Sequence, residues 1–147
     1  MIAIDHSVFI VGTDTGVGKT HVAVRLLRQL AATGRRVAAM KPVAAGALET
    51  SHGLRNDDAL DLAAAASLRL PYDLVNPCCL PRPTSPHLAA RAAGRSIDLP
   101  ALLAAYRDIA ARADIVVVEG AGGLFSPLGD RMTNADLALL AGLPLVV

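Results

Sequence analysis

The chain has 147 residues, of which 53% are hydrophobic, and its formal net charge at pH 7 is +1. This length fits a single domain, taken here as residues 1–147, and is long enough to bury a core. The near-neutral charge and few aromatic residues exclude a nucleic-acid signature, and no apolar stretch reaches the roughly 20 residues that span a bilayer.

The hydrophobic pattern predicts strands that alternate with helices along the chain. The predicted strands and helices, in chain order, are strand 7–11, helix 18–33, strand 36–41, helix 58–66, helix 99–112, strand 115–118, helix 134–141 and strand 143–147. The stretch from Pro71 to Pro86 is predicted to be irregular, with a short helix beginning at Pro86. Such alternation indicates an α/β fold with a parallel sheet and helices on both faces.

Several local details follow from the same pattern. The first helix is expected to bury Val22, Leu26 and Leu30 on one face. The helix at 58–66 is expected to be capped by Asn56 or Asp57. Residues 43–46, which follow Pro42, are expected to form a turn.

A glycine-rich segment lies between the first predicted strand and the first predicted helix. Residues 12–20 read Gly-Thr-Asp-Thr-Gly-Val-Gly-Lys-Thr, and backbone N–H groups in such a loop can surround phosphate oxygens at a helix N-terminus. Lys19 can reach the β- and γ-phosphates, and the Thr20 hydroxyl can ligate magnesium. Gly12 is one residue too far from Gly18 for the standard pattern, so an ordinary turn with a chance Gly-Lys-Thr is the alternative. The segment predicts a site for a nucleoside triphosphate with magnesium.

One acidic position is a candidate for holding that metal. Glu119 ends the predicted strand 115–118, and ligands of parallel α/β sheets bind at this edge. Magnesium takes a few oxygen ligands and keeps waters, so Thr20, Glu119 and one further carboxylate could hold it. A solvated acid in a turn is the alternative for Glu119. Asp57 and Asp58 open a predicted helix, and capping is the favoured role for them.

Lysine is scarce in this chain. Twelve of the 14 basic residues are Arg, which leaves only Lys19 and Lys41. Lys41 ends the second predicted strand, at the same sheet edge as Glu119, and could neutralise charge beside the γ-phosphate. A surface lysine at a strand end is the alternative, but the scarcity of lysine favours a site that requires a compact ammonium.

With these residues assembled, the chain resembles the dethiobiotin synthetase family. The segments that carry the resemblance are Gly-Thr-Asp-Thr-Gly-Val-Gly-Lys-Thr (12–20), Lys-Pro-Val-Ala-Ala-Gly (41–46), Leu-Arg-Asn-Asp-Asp-Ala (54–59), Asn-Pro (76–77), Pro-Thr-Ser-Pro-His (83–87) and Val-Glu-Gly-Ala-Gly-Gly (118–123). Their order and spacing match over essentially the whole chain. The longer phosphate loop of that family also accounts for the position of Gly12.

The resemblance implies a P-loop NTPase-like fold and an ATP- and magnesium-dependent ring closure that converts 7,8-diaminononanoate and carbon dioxide into dethiobiotin, ADP and phosphate. It implies the following roles: catalysis by Lys19 and Lys41; magnesium on Thr20, Asp58 and Glu119; nucleotide on Gly16, Val17, Gly18, Lys19, Thr20, His21, Asp58, Glu119, Gly120, Ala121 and Gly122; and diamine or carbamate on Thr15, Lys41, Ala45 and Ser85. Ala45 stands where the family often has a hydroxyl residue, which weakens one substrate contact.

The resemblance also implies a homodimer, and the adjacent cysteines Cys78 and Cys79 are typical of a reducing cytoplasm. The family domain continues beyond Val147, so the chain is expected to be its N-terminal part.

Three other functions are open alternatives. They are a related amide synthetase of the cobyrinic acid type, a switch ATPase of the chromosome-partitioning type, and a nucleotide-binding module without catalytic activity.

Overall fold

The structure is a computed structural model and describes residues 4–147. Six helices are found in this part of the chain: α1 Lys19–Ala31, α2 Asp57–Ala65, α3 Tyr72–Val75, α4 Pro86–Ala92, α5 Leu99–Arg112 and α6 Asn134–Ala141. The strands of the same residues are β1 Val8–Gly12, β2 Val37–Met40, β3 Val43–Ala45, β4 Leu48–Thr50, β5 Gly53–Arg55, β6 Cys78–Leu80, β7 Ile115–Gly123, β8 Pro127–Gly129, β9 Met132–Thr133 and β10 Leu145–Val146. None of these helices has the length and apolar character needed to cross a membrane.

The central sheet contains four parallel strands in the order β10-β1-β7-β2. Strands β1 and β2 and the first four residues of β7 are buried and apolar on both faces, as expected for parallel strands covered on both sides. The prediction of a parallel α/β sheet is therefore confirmed. Because the strands are parallel, the carboxyl ends of β1, β2 and β7 lie along one edge of the sheet.

Helices cover both faces of this sheet, as the sequence predicted. Successive side chains of a strand point to opposite faces. Val8 and Ile10 of β1 accordingly pack in a core with α1 and α2, whereas Phe9 and Val11 pack in a second core with residues of α4, α5 and α6.

The buried face of α1 differs from the prediction. Its buried residues are Ala23, Leu26, Leu27 and Leu30, whereas Val22 is 45% exposed. At 100° per residue, Val22 lies about 90° from the centre of the stripe that these four residues form. The expected burial of Val22 was wrong because Leu27, which lies farther round the helix, moves the apolar face away from it.

The stretch between Pro71 and Pro86 was wrongly predicted to be irregular. It contains α3 and β6, and β6 pairs in parallel with β3, which occupies residues that were predicted to form a turn. Three-residue strands are too short to give a periodic signal. Their backbone groups instead find partners far away in sequence, as the bond from the Cys78 N–H to the Pro42 carbonyl shows (3.1 Å).

The predicted helix boundaries are accurate where a cap defines them. The Asn56 side chain accepts a hydrogen bond from the Ala59 N–H and caps α2, and Asp98 caps α5 in the same way through the Ala101 N–H. Gly142, in the left-handed conformation at φ 69°, ends α6.

Candidate nucleotide and metal site

A cavity of about 700 Å³ lies at the carboxyl edge of the sheet. The phosphate loop, the start of α2, the segment before α4 and the end of β7 surround it. Most of the residues singled out from the sequence line this cavity: Thr15, Gly16, Gly18, Lys19, Thr20, His21, Lys41, Ala45, Asp58, Ser85, Glu119, Ala121 and Gly122. The structure thus brings together residues that are separated by up to about a hundred positions in the chain.

The phosphate loop is formed by glycines in conformations that other residues rarely adopt. Gly16 has φ 76° and Gly18 has φ 105°, and a Cβ on either would meet no atom within 4 Å. Helix α1 starts at Lys19 with no side-chain cap and no acidic residue in its first turn. Its first N–H groups and the positive end of its dipole are therefore available to an anion.

The Lys19 ammonium folds back over this loop. Its Nζ donates a 2.7 Å hydrogen bond to the Asp14 carbonyl oxygen. Partial burial, followed by the positive charge of Lys41, lowers the pKa of Lys19 below its ordinary value. An anion held between the two ammonium groups would relieve this repulsion, which is the electrostatic condition for binding a phosphate group.

Glu119 is the centre of a buried polar cluster. Glu119 is 0% exposed, and its Oε1 accepts hydrogen bonds from the Thr20 hydroxyl and from the Lys41 ammonium, both at 2.8 Å. Lys41 is itself only 4% exposed and makes a second ion pair with Asp58, at 3.2 Å between Nζ and Oδ2. Strand β7 runs to Gly123 and does not end at Val118 as predicted, so Glu119 lies within a strand. The alternatives of a solvated turn for Glu119 and of a surface position for Lys41 are wrong.

The donor set of this cluster fits a magnesium ion. Glu119 Oε2 is buried and has no hydrogen-bond partner among the described residues. A buried acceptor without a partner is costly, and a cation beside it would satisfy it. Thr20 and Asp58 supply the further oxygen atoms that a hard cation prefers. No group of three or more His, Cys, Asp or Glu residues with metal-binding geometry occurs in residues 4–147, so phosphate and water oxygens would have to complete the coordination.

A comparison with protein families agrees with this geometry. A family model described as an AAA domain, AAA_26, matches residues 6–147. The chain belongs to this family. AAA_26 is part of the P-loop NTPase superfamily and includes members that are similar to dethiobiotin synthetase. The function that membership supports is nucleotide binding of the P-loop ATPase type.

Two residues of the predicted site lie outside the cavity of this AAA_26 domain. Val17 does not line it, and its side chain is 53% exposed. Gly120 does not line it either, because it faces the core. A Cβ at Gly120 would lie 2.9 Å from the Phe9 ring and 3.1 Å from Asn134. Glycine at this position therefore allows Phe9 and Asn134 to pack against the backbone of β7.

The AAA_26 domain also contains site residues that sequence reasoning missed. Ser126 lines the cavity, and its Oγ accepts a 2.7 Å hydrogen bond from the Gly123 N–H. Asn134, which is 1% exposed, donates from Nδ2 to the carbonyl oxygens of Ala121 (2.7 Å) and Gly123 (2.8 Å). These contacts fix the loop that follows Glu119. A polar residue opening an otherwise apolar helix is a weak sequence signal for such a role, because helix capping explains it equally well.

Proposed function

We propose that this domain catalyses the ATP- and magnesium-dependent ring closure of 7,8-diaminononanoate with carbon dioxide, which gives dethiobiotin, ADP and phosphate. The observation that supports this most strongly is the shared oxygen of Glu119, which binds both the Thr20 hydroxyl and the Lys41 ammonium at 2.8 Å. A domain that only binds nucleotide needs one ammonium at the phosphates. A second one, buried beside the phosphate loop, favours transfer of a phosphoryl group to an anionic acceptor.

The chemistry proceeds in three steps. One amine of the diamine adds to carbon dioxide and loses a proton, which gives a carbamate. A carbamate oxygen attacks the γ-phosphorus, the bond to the bridging oxygen breaks, and ADP leaves. The second amine then attacks the carbonyl carbon, the carbon–oxygen bond to phosphate breaks, and the ureido ring closes with loss of a proton.

The residues of the cavity have distinct parts in this scheme. Lys19 binds the β- and γ-phosphates, and Lys41 binds the carbamate and offsets the charge that develops during transfer. Magnesium on Thr20, Asp58 and Glu119 would neutralise phosphate charge. Thr15 and Ser85 line the same cavity and offer hydroxyl groups to the diamine.

The test measures phosphate release from magnesium-ATP in the presence of bicarbonate, with and without the diamine. We expect release to require the diamine and to equal, mole for mole, the dethiobiotin detected by mass spectrometry. A monoamine analogue is the matched control, because it can form a carbamate but cannot close the ring. Thermal stabilisation by magnesium-ATP without diamine-dependent release would contradict the proposal and would favour a non-catalytic nucleotide-binding module. Release that depends on glutamine would favour an amide synthetase.

A further inference from the structure

The Tyr72 hydroxyl connects two segments that supply the buried cluster, although Tyr72 itself does not line the cavity. It accepts a 2.8 Å hydrogen bond from the Asn56 N–H and donates a 3.0 Å hydrogen bond to Asn76 Oδ1. Asn56 precedes α2, and Asn76 follows α3. One hydroxyl group therefore bridges the residue before α2 and the residue after α3.

On one side, this bridge holds the backbone of Lys41. Asn76 is 2% exposed, and its Nδ2 donates a 2.7 Å hydrogen bond to the Lys41 carbonyl oxygen. The Lys41 N–H in turn donates to the Val75 carbonyl oxygen at 2.8 Å. Both backbone polar groups of Lys41 are thus bound by the short segment that contains Tyr72 and Asn76.

On the other side, the bridge holds the partner of the Lys41 side chain. Asn56 is the N-cap of α2, because its side chain accepts a hydrogen bond from the Ala59 N–H (3.1 Å). Asp58 lies in the first turn of the same helix, and its Oδ2 is 3.2 Å from Lys41 Nζ. The hydrogen bonds therefore form a closed circuit, which runs from the Lys41 backbone through Tyr72 to α2 and returns to the Lys41 ammonium.

We propose that Tyr72 is a positioning residue for Lys41, whose ammonium it fixes beside Glu119 by tying the Lys41 backbone and the start of α2 to one hydroxyl group. Its effect on turnover rests on the proposed function, but its effect on Lys41 does not. The Arg55 guanidinium lies 4.1 Å above the Tyr72 ring centroid and restrains the ring. Burial raises the pKa of Tyr72 to about 12, so the hydroxyl keeps the proton that it donates to Asn76.

The composition of the chain makes a direct test possible. Lys19 and Lys41 are its only lysines, so a protein labelled with [¹⁵N]lysine gives at most two Nζ signals, and Lys41→Met assigns them. Tyr72 and Tyr106 are its only tyrosines, and Tyr106→Phe is the matched control because Tyr106 is half-buried in α5, away from the cavity. We expect Tyr72→Phe to shift or abolish the Lys41 signal and to leave the Lys19 signal in place. Tyr106→Phe should change neither signal.

A second variant, Asn76→Ala, removes the next hydrogen bond of the circuit, which joins Asn76 Nδ2 to the Lys41 carbonyl oxygen. Asn76→Ala should reproduce the change in the Lys41 signal, and it takes the place of Tyr72→Phe if that variant does not fold by circular dichroism. An unchanged Lys41 signal in either folded variant would overturn the proposal. Equal changes from Tyr72→Phe and Tyr106→Phe would also overturn it, because they would indicate a general loss of stability.

A kinetic measurement extends the test to catalysis. Tyr72→Phe removes both hydrogen bonds of the hydroxyl group and should lower kcat about tenfold, with KM for ATP unchanged. A purely structural role would change both constants or neither, and would overturn the positioning role. If the unsubstituted domain shows no diamine-dependent turnover, the proposed function fails, while the lysine signals still decide the role of Tyr72.

Discussion

The two lysines of the site occupy contrasting environments. Lys19 begins α1 directly after the glycine-rich loop, and its Nζ contacts the backbone carbonyl of Asp14, five residues away. Lys41 is buried, and its partners are side chains 17 and 78 residues away in the sequence. Without a ligand, the Lys19 ammonium is therefore bound only by a nearby backbone carbonyl among the described residues. The Lys41 ammonium already has two carboxylate partners.

This difference decides what each lysine contributes to stability. Lys19 is only partly buried, and removing its charge leaves no buried charge without a partner, so the folded state loses little. Removing the Lys41 ammonium would leave Glu119, which is 0% exposed, with an uncompensated buried charge. We therefore expect Lys19 to matter for ligand binding and Lys41 to matter for both chemistry and stability.

The largest expected effect is that of Lys19→Ala on nucleotide binding. In the proposed role of Lys19, the variant loses charge-assisted hydrogen bonds to two phosphates, which corresponds to a decrease in ATP affinity on the order of 10³-fold. Thermal shift with magnesium-ATP measures this directly. Arg25→Ala, which removes an exposed cation from the same helix, is the control and should retain the stabilisation. If both variants lose the stabilisation by magnesium-ATP to a similar extent, the nucleotide responds to the overall positive charge of the protein and not to a specific contact with Lys19.

The second effect is that of Lys41→Ala on the free energy of unfolding. We expect a decrease of about 3 kcal/mol, because the variant removes one partner of a buried ion pair. Lys41→Met combined with Glu119→Gln should recover most of this decrease, since no buried charge then remains without a partner. Urea unfolding of the single and double variants measures the difference. If the double variant is as unstable as the single one, packing and not charge holds the cluster together.

The Lys41 variants also separate binding from chemistry. ATP should still stabilise Lys41→Ala, measured as the change in Tm relative to the same variant without ligand, because Lys19 and the loop are intact. Formation of product should cease. Equal loss of nucleotide binding in the Lys19 and Lys41 variants would contradict this division between the two lysines.

The same contrast explains which parts of the site could be predicted from sequence. The phosphate loop is encoded by consecutive residues, and glycine reports its unusual backbone directly, so Gly16, Gly18 and Lys19 were identified. Parallel strands end at one edge, which placed Lys41 near Glu119. The connections through Tyr72, Asn76 and Asn134 could not be predicted, because each depends on partners that only the folded chain brings within hydrogen-bonding distance.

A further prediction compares two glycines with similar backbones. Gly18 (φ 105°) and Gly34 (φ 83°) both have open space where a Cβ would lie. Alanine at either position should therefore cost a similar 1–2 kcal/mol, roughly the penalty of a left-handed conformation. Only Gly18→Ala should also weaken ATP binding in a titration, because only Gly18 lines the cavity and allows a phosphate to approach the backbone. If Gly18→Ala and Gly34→Ala bind ATP equally well, the loop does not contact the phosphates.

The smallest expected effect tests the substrate end of the cavity. Ala45 lines the cavity but offers no hydroxyl, so Ala45→Ser can add one hydrogen bond to the proposed diamine substrate. A gain of about 1 kcal/mol would lower KM for the diamine roughly fivefold and leave KM for ATP unchanged. Ala44→Ser is the matched control: Ala44 is 0% exposed and does not line the cavity, so its new hydroxyl should reduce stability without changing either KM. An unchanged KM for the diamine in Ala45→Ser would place the diamine away from β3, and the assignment of Thr15 and Ser85 to the same substrate would then have to be reconsidered.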